Sequence, residues 1–364
     1  MFTGSNMQEF KKMKLYRYRP LSEVLFKELR YREIYMASPE ELIDPLDMNG
    51  RLNFYTDNQE NIKALARFLA RKMFVELSVS GGWETVRAKA ALHLIRSNDL
   101  EQHISAEFGR CTGNVVSKRN LFEILWKFVR DNPAIDKDSK ALLKDTIFIS
   151  LDENFSQFLS NSSVACFSRC CSDFLMWSHY ASGHKGICLE FEVDIDPANS
   201  HISHFPMVTR IPIDGKAIEW TTDVEAVQYK DALTRLPFYD YLPVFANVGD
   251  VDLMNLSKSY WHPYAEGIKK IFLEKRKAWR EEEEWRIVHV NFQKEMPENR
   301  LLRFDGEALT GVYFGTKASR TTKARTRNIL EKSPGNPMLY NCSVDGTRGV
   351  VAAEWEDADY DDLG

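Results

Sequence analysis

The sequence predicts an α+β fold in which a mixed β-sheet core carries a large all-helical insertion. Short runs of β-forming apolar residues open the chain and dominate its second half. Between about residues 58 and 160 the apolar residues instead recur at three- and four-residue steps, the period of a helix buried on one face. With 364 residues, 44% hydrophobic and 28% charged, the chain has material for one elaborated domain or two.

Residues 14–19 (KLYRYR) read as a short strand, 21–31 as a helix that Pro20 can begin, and 33–37 as a second strand. A turn-rich acidic loop, SPEELIDPLD, follows at 38–47. The helical block is carried by Ile62, Leu65, Phe68, Leu69 and Met73, then by Leu121, Ile124, Leu125 and Phe128. Strands resume at 164–167 and 186–193, with Gly183 and Gly186 as punctuation. Between those strands a short helix and turn hold Phe174, Met176, Trp177 and Tyr180, together with His179 and His184. Further strands are expected at 224–229, 284–290, 301–304, 312–314 and 350–353, and helices at 251–274 and 317–332. The chain thus divides into an opening strand–helix–strand part of the core (1–57), a helical insertion serving as lid or partner-binding lobe (58–160), the rest of the α+β core (161–353) and a frayed acidic tail (354–364).

A net charge of −5 argues against nucleic-acid binding through bulk electrostatics and leaves room for a local basic patch. No apolar run approaches the roughly 20 residues that span a bilayer, and the first residues lack a signal-peptide core. A cytoplasmic protein with no membrane partner is the expectation. Six irregularly spaced cysteines fit free thiols better than a disulfide framework.

Glu282 and Glu284 stand two apart at the entry to an expected strand, so they project to one face together with Arg286. Two carboxylates in one space raise one pKa, which suits general acid–base work or a hydrogen bond to a sugar hydroxyl. Arg17 and Arg19 share a face of the first strand, and Ser168 ends the strand from Val164. Plainer readings exist for each: a solvated, ion-paired run for Glu281 to Glu284, edge-strand charges for the arginines, core packing for Trp177 and Tyr180, a turn around Pro45 for Asp44 and Asp47, and structural hydrogen bonds for the histidines. Zinc competes for the central segment, where Cys166, Cys170, Cys171, His179, His184 and Cys188 cluster, but the ligand spacing is poor and two of the thiols sit in apolar strands. Neither a glycine-rich phosphate loop nor a Gly-x-Ser-x-Gly elbow occurs.

Four segments carry a family resemblance: Leu15-Tyr16-Arg17-Tyr18; Asp44-Pro45-Leu46-Asp47; Met176-Trp177-Ser178-His179-Tyr180-Ala181 with His184-Lys185-Gly186-Ile187-Cys188; and Trp279 with Glu282-Glu283-Glu284-Trp285-Arg286. In that order they resemble a bacterial family catalogued as domain of unknown function 2971, over residues 14–48 and 164–315. Ile43 departs from the pattern, standing where the family usually has Asn, and the helical block is longer than usual. More distantly, the order Arg, Ser, Glu-x-Glu resembles ADP-ribosyltransferases of the arginine–serine–glutamate type, which open with a similar strand–helix–strand unit. That resemblance implies an ADP-ribosyltransferase-like sheet with NAD as substrate. It implies that Arg17 or Arg19 pairs with the pyrophosphate and that Ser168 orients the loop and the neighbouring carboxylate. Glu284 would stabilise the cationic sugar, with Glu282 positioning the acceptor nucleophile, while Tyr16, Tyr18, Trp177 and Tyr180 stack on the bases and His179 lies beside them.

Two readings follow. One is an enzyme that cleaves the nicotinamide–ribose bond of NAD and transfers ADP-ribose to a macromolecular acceptor or water, as a toxin or phage-defence effector. The other is a non-catalytic nucleotide-sensing or protein-interaction module using the same pocket.

Overall fold

The computed structural model describes residues 11–48, 52–81, 99–133, 135–210, 217–240, 266–290, 295–331, 333–346 and 349–354. The chain opens with β1 (Lys12–Arg19), α1 (Glu23–Tyr31), β2 (Glu33–Tyr35) and β3 (Leu52–Asn53). Ser22, not Pro20, begins α1: its Oγ accepts the Leu25 N–H at 3.2 Å. The helical block comprises α2 (Gln59–Gly81), α3 (Asp99–Phe108), α4 (Lys118–Asp131) and α5 (Lys137–Asn161). Then come β4 (Ser163–Ser168), α6 (Phe174–Tyr180), β5 (Ile187–Ile195), β6 (Ile202–Arg210), β7 (Ala217–Ala226), β8 (Gln228–Lys230) and β9 (Leu236–Pro237). After an unlabelled helical segment at 266–272, the chain ends in β10 (Glu274–Arg276), β11 (Glu284–His289), β12 (Leu301–Arg303), β13 (Leu309–Phe314), α7 (Arg320–Leu330), β14 (Met338–Asp345) and β15 (Gly349–Glu354). Of the helix expected at 251–274, residues 251–265 lie outside the described residues, as does most of the acidic tail.

The fold is α+β and its main sheet is mixed, with order β1-β4-β11-β7-β6-β5-β13-β14-β15 and parallel pairing of β13 with β14. Because β1 also pairs with β5 from Lys12↔Asp194 to Arg19↔Ile187, six of the strands close into a barrel-like ring. β5 can serve both ring and extension because its second edge is divided: Ile187 to Phe191 pair with β13, and Asp194 and Ile195 with β6.

Alternation decides what fills the ring. Leu15, Phe167, Phe191, Phe205 and Ile287 project inward and form one buried cluster. The outward residues of β4 are also covered, because Val164 packs into the cluster of the helical block with Leu65, Leu69 and Leu125. A strand buried on both faces loses the polar alternation, which is why β4 reads as an apolar run, whereas β5 keeps it, setting Glu190, Glu192 and Asp194 against Leu189, Phe191 and Val193. A third, smaller cluster joins Tyr18, Trp177, Cys188 and Tyr313 beside α6.

Candidate functional site

β1 and β4 meet at one residue pair, Tyr16↔Ser168, and then part. The edge of β4 is met by other groups instead: Ala37 exchanges two backbone hydrogen bonds with Val164, both 2.8 Å. Arg17 reaches across the split, donating to the carbonyl oxygens of Cys166 (3.3 Å) and Tyr35 (2.7 Å) over the Phe167 ring. The parting leaves a cleft of about 290 Å³ between β1, β4, the 41–47 loop, α6 and the approach to β11.

Part of the lining belongs to a buried ion network. Arg286 grips Asp47 through both terminal nitrogens, at 2.7 and 2.5 Å, and Glu284 through Nε and Nη2, both at 2.8 Å. Lys275 Nζ lies 2.5 Å from Glu282, 2.9 Å from Glu284 and 3.5 Å from Asp47. The Tyr180 hydroxyl donates to the other oxygen of Glu282 at 2.7 Å. Three carboxylates face two cations, so the network carries one surplus negative charge. Burial pushes Glu282 above the usual carboxylate range; Lys275 opposes this and Glu284 adds to it. Burial acts on Glu284 in the same direction, but the Arg286 and Lys275 charges override it and hold Glu284 at about 2. The two carboxylates therefore differ: Glu284 is held as an anion, while Glu282 takes up a proton more readily than an ordinary carboxylate.

The charges of β1 have the opposite balance. Glu28, buried on α1, accepts from Arg19 Nε at 2.7 Å and lies 3.7 Å from Arg17. Two cations share one carboxylate, leaving a surplus positive charge. Burial lowers Arg17 to about 10, with Arg19 adding to the effect and Glu28 opposing it.

Glu282 reaches the network by a route the sequence does not suggest. It closes a 3-10 turn (Lys277–Glu282), not the strand, and Glu283 takes a left-handed conformation (φ 43°) before β11 starts at Glu284. Both carboxylates still converge on Lys275. Tyr16, Arg17, Tyr18, Arg19, His179, Tyr180, Glu282 and Glu284 all line the cleft. Tyr18 is fixed there by donating to the Cys170 carbonyl oxygen at 2.8 Å. Two of the expected residues stay behind the wall. Ser168 sits beside Glu284 in register, fully buried, its Oγ accepting the Cys170 N–H at 3.0 Å. Trp177 is likewise fully buried, its Nε1 donating to the Cys171 carbonyl oxygen at 2.8 Å.

Sequence reasoning missed Lys275, Asp47 and Tyr229. Lys275 stands in a run of cations that reads as solvated. Asp47 reads as a turn residue, and the turn is instead made by Asp44, whose carboxylate accepts the Leu46 N–H at 2.9 Å. Tyr229 accepts the Glu284 backbone N–H at 2.8 Å. All six cysteines are free thiols, and among the described residues no group of three or more His, Cys, Asp or Glu is arranged to hold a metal ion. Among them, too, no helix is long and apolar enough to cross a membrane.

Residues 176–287 fit the model of a family described as "Protein of unknown function (DUF2971)". That span holds Tyr180, Lys275, Glu282, Glu284 and Arg286. No curated protein and no solved structure matches the chain.

Proposed function

We propose that the cleft binds NAD and cleaves its nicotinamide–ribose bond in the manner of an ADP-ribosyltransferase. The observation that carries this reading is the opposite surplus charge of two groups on its lining, positive at Arg17 and Arg19 and negative around Glu282. Oxidised NAD has a complementary pattern, an anionic pyrophosphate and a cationic nicotinamide ring. Tyr16 and His179 on the lining offer ring faces to its planar groups.

In this reading the C–N bond breaks, its electron pair leaves with nicotinamide, and the ribosyl cation gains stability from the anionic network around Glu282. The nucleophile, water or a hydroxyl, amine or guanidinium of a macromolecule, adds to the ribosyl carbon and gives up its proton to Glu282. The raised pKa of Glu282 makes it a stronger base than an ordinary carboxylate, and Glu284 keeps Lys275 and Arg286 in place. An enzyme that consumes NAD in this way would act as a toxin or antiviral effector.

The test is incubation of pure protein with nicotinamide-labelled NAD, with and without cell lysate, followed by chromatography. Released nicotinamide supports the reading; a protein that neither binds nor consumes NAD overturns it. One observation favours the second reading, a nucleotide sensor without turnover: Arg17 and Glu284 are already held by protein partners. Calorimetric NAD binding with no nicotinamide release is its signature.

A further inference from the structure

Away from the cleft, α1 and α7 lie side by side and leave a groove of about 670 Å³ between them. Two smaller depressions extend it. One shares Glu23, Phe26 and Arg325 and runs toward Ser319; the other shares Arg30 and Asn328 and runs toward Arg32 and Pro334. The line of depressions follows the nine residues of α1, about 13 Å at the rise of a helix.

The charge of this surface runs against that of the chain. Lys27, Arg30, Arg32 and Arg325 line it, and Glu23 is the one acid among the described lining residues. The excess continues along α7, since residues 317–327 hold five cations and no acid in a chain of net charge −5. Lys27 and Arg30 are exposed, whereas Arg325 is held flat by Glu23, at 2.8 Å through both nitrogens, and by the Phe26 ring at 3.8 Å. Tyr31, half exposed, presents a ring, and Asn328, also exposed, an amide on the lining.

We infer that this groove binds the phosphate backbone of a nucleic-acid strand. Arginine forks match phosphate oxygens, the tyrosine ring offers a base a stacking surface, and the local positive field supplies attraction that net charge does not. A concave groove is poorly shaped for a flat bilayer. An acidic peptide would find its largest apolar contact, Phe26, already covered by Arg325. The inference is independent of what the cleft does.

Fluorescence anisotropy of a labelled single-stranded oligonucleotide, titrated with the full chain between roughly 50 and 200 mM salt, tests it. The parent should bind with an affinity that falls steeply with salt. The double variant Lys27→Gln/Arg30→Gln should bind about tenfold more weakly, with a log–log salt slope smaller by roughly 1.4, two single-strand phosphate contacts. Arg119→Gln/Arg235→Gln, which removes the same charge from exposed sites elsewhere, should bind like the parent. Unchanged melting temperatures would show that the loss is not one of folding. No binding at the lowest salt, or equal loss in both double variants, overturns the inference. So does binding to polyglutamate as tight as to the oligonucleotide, or binding to anionic phosphatidylserine vesicles but not to the oligonucleotide; these would assign the groove to an acidic protein or a membrane.

Discussion

Tyr180 donates a hydrogen bond to Glu282 Oε1 at 2.7 Å across 102 residues of chain. This bond ties α6 to the turn before β11, and it works against the burial that raises the Glu282 pKa. Tyr180→Phe should therefore raise that pKa further and destabilise the fold by about 1.5–3 kcal/mol, the range for a hydrogen bond to a charged group. Carboxyl-carbon NMR titration and denaturant unfolding measure the two effects. An unmoved Glu282 resonance would mean that the hydroxyl does not tune it.

Glu284 makes a different prediction. Its folded-state pKa of about 2 lies below the ordinary value of 4.5, so its contribution to stability is full above 4.5 and is lost as pH falls through about 2. Glu284→Gln should flatten that acid limb in a circular-dichroism unfolding series. At neutral pH it should cost about 3–5 kcal/mol, because Arg286 and Lys275 stay buried with one partner charge removed. The sequence alone makes this substitution a clean probe of catalysis; the buried network makes it a probe of folding.

How much was legible in the sequence follows from what each element buries. β4 is legible from its apolar run, β1 and β5 from apolar residues alternating with polar ones, and β11 from the β-forming stretch Trp285 to Val288. No strand is expected at β6, a segment that Pro206 interrupts. Within β6, β5 pairs only with Ser203 and His204, so Pro206 stands where that edge has no β5 partner. β14 has no signal of its own, being half-buried along most of its length. The strand expected at 224–229 is divided at Val227, whose N–H goes to the Glu284 carbonyl oxygen as the chain passes from β7 to β8. Helix was expected as far as Glu274, but Glu274 starts β10, pairing with Gln228. Ring closure and the role of Lys275 depend on pairings between distant segments, which no local pattern records.

Gly186 marks where β1 ends against the turn after α6. A Cβ there would lie 2.2 Å from the Arg19 carbonyl oxygen and 3.1 Å from Ala181 backbone atoms. Gly186→Ala must displace the end of β1 and should cost about 1–3 kcal/mol or more, read as a lower denaturant midpoint. An unchanged midpoint would show that this end of β1 yields freely.

The helical block shares its core with the barrel wall. Leu65, Leu69, Leu121 and Leu125 pack in one cluster with Val164, Phe238 and Phe272, and Val288 of β11 packs against it. Deleting residues 58–160 should expose that outer face of β4 and β11 and leave the remaining chain insoluble on expression. A soluble, cooperatively folding remainder would instead make the block an autonomous domain.

Glu282 separates stability from function most sharply. A raised carboxylate pKa contributes stability below the unfolded value of 4.5 and loses it as pH rises through the folded value, so at neutral pH the ionised group opposes folding. Glu282→Gln removes the surplus negative charge of the network while offering an oxygen to Lys275 and an amide to the Tyr180 hydroxyl. The melting temperature should rise at pH 7 and stay level below pH 4.5. If Glu282 handles the proton of the nucleophile, nicotinamide release should fall by roughly 100-fold, about 2.7 kcal/mol in barrier, with NAD still bound. A variant that gains stability and loses turnover would mark Glu282 as a residue kept for chemistry at the expense of the fold. Full activity in the stabilised variant would remove Glu282 from the mechanism, and a destabilised variant would show that the network needs its third carboxylate.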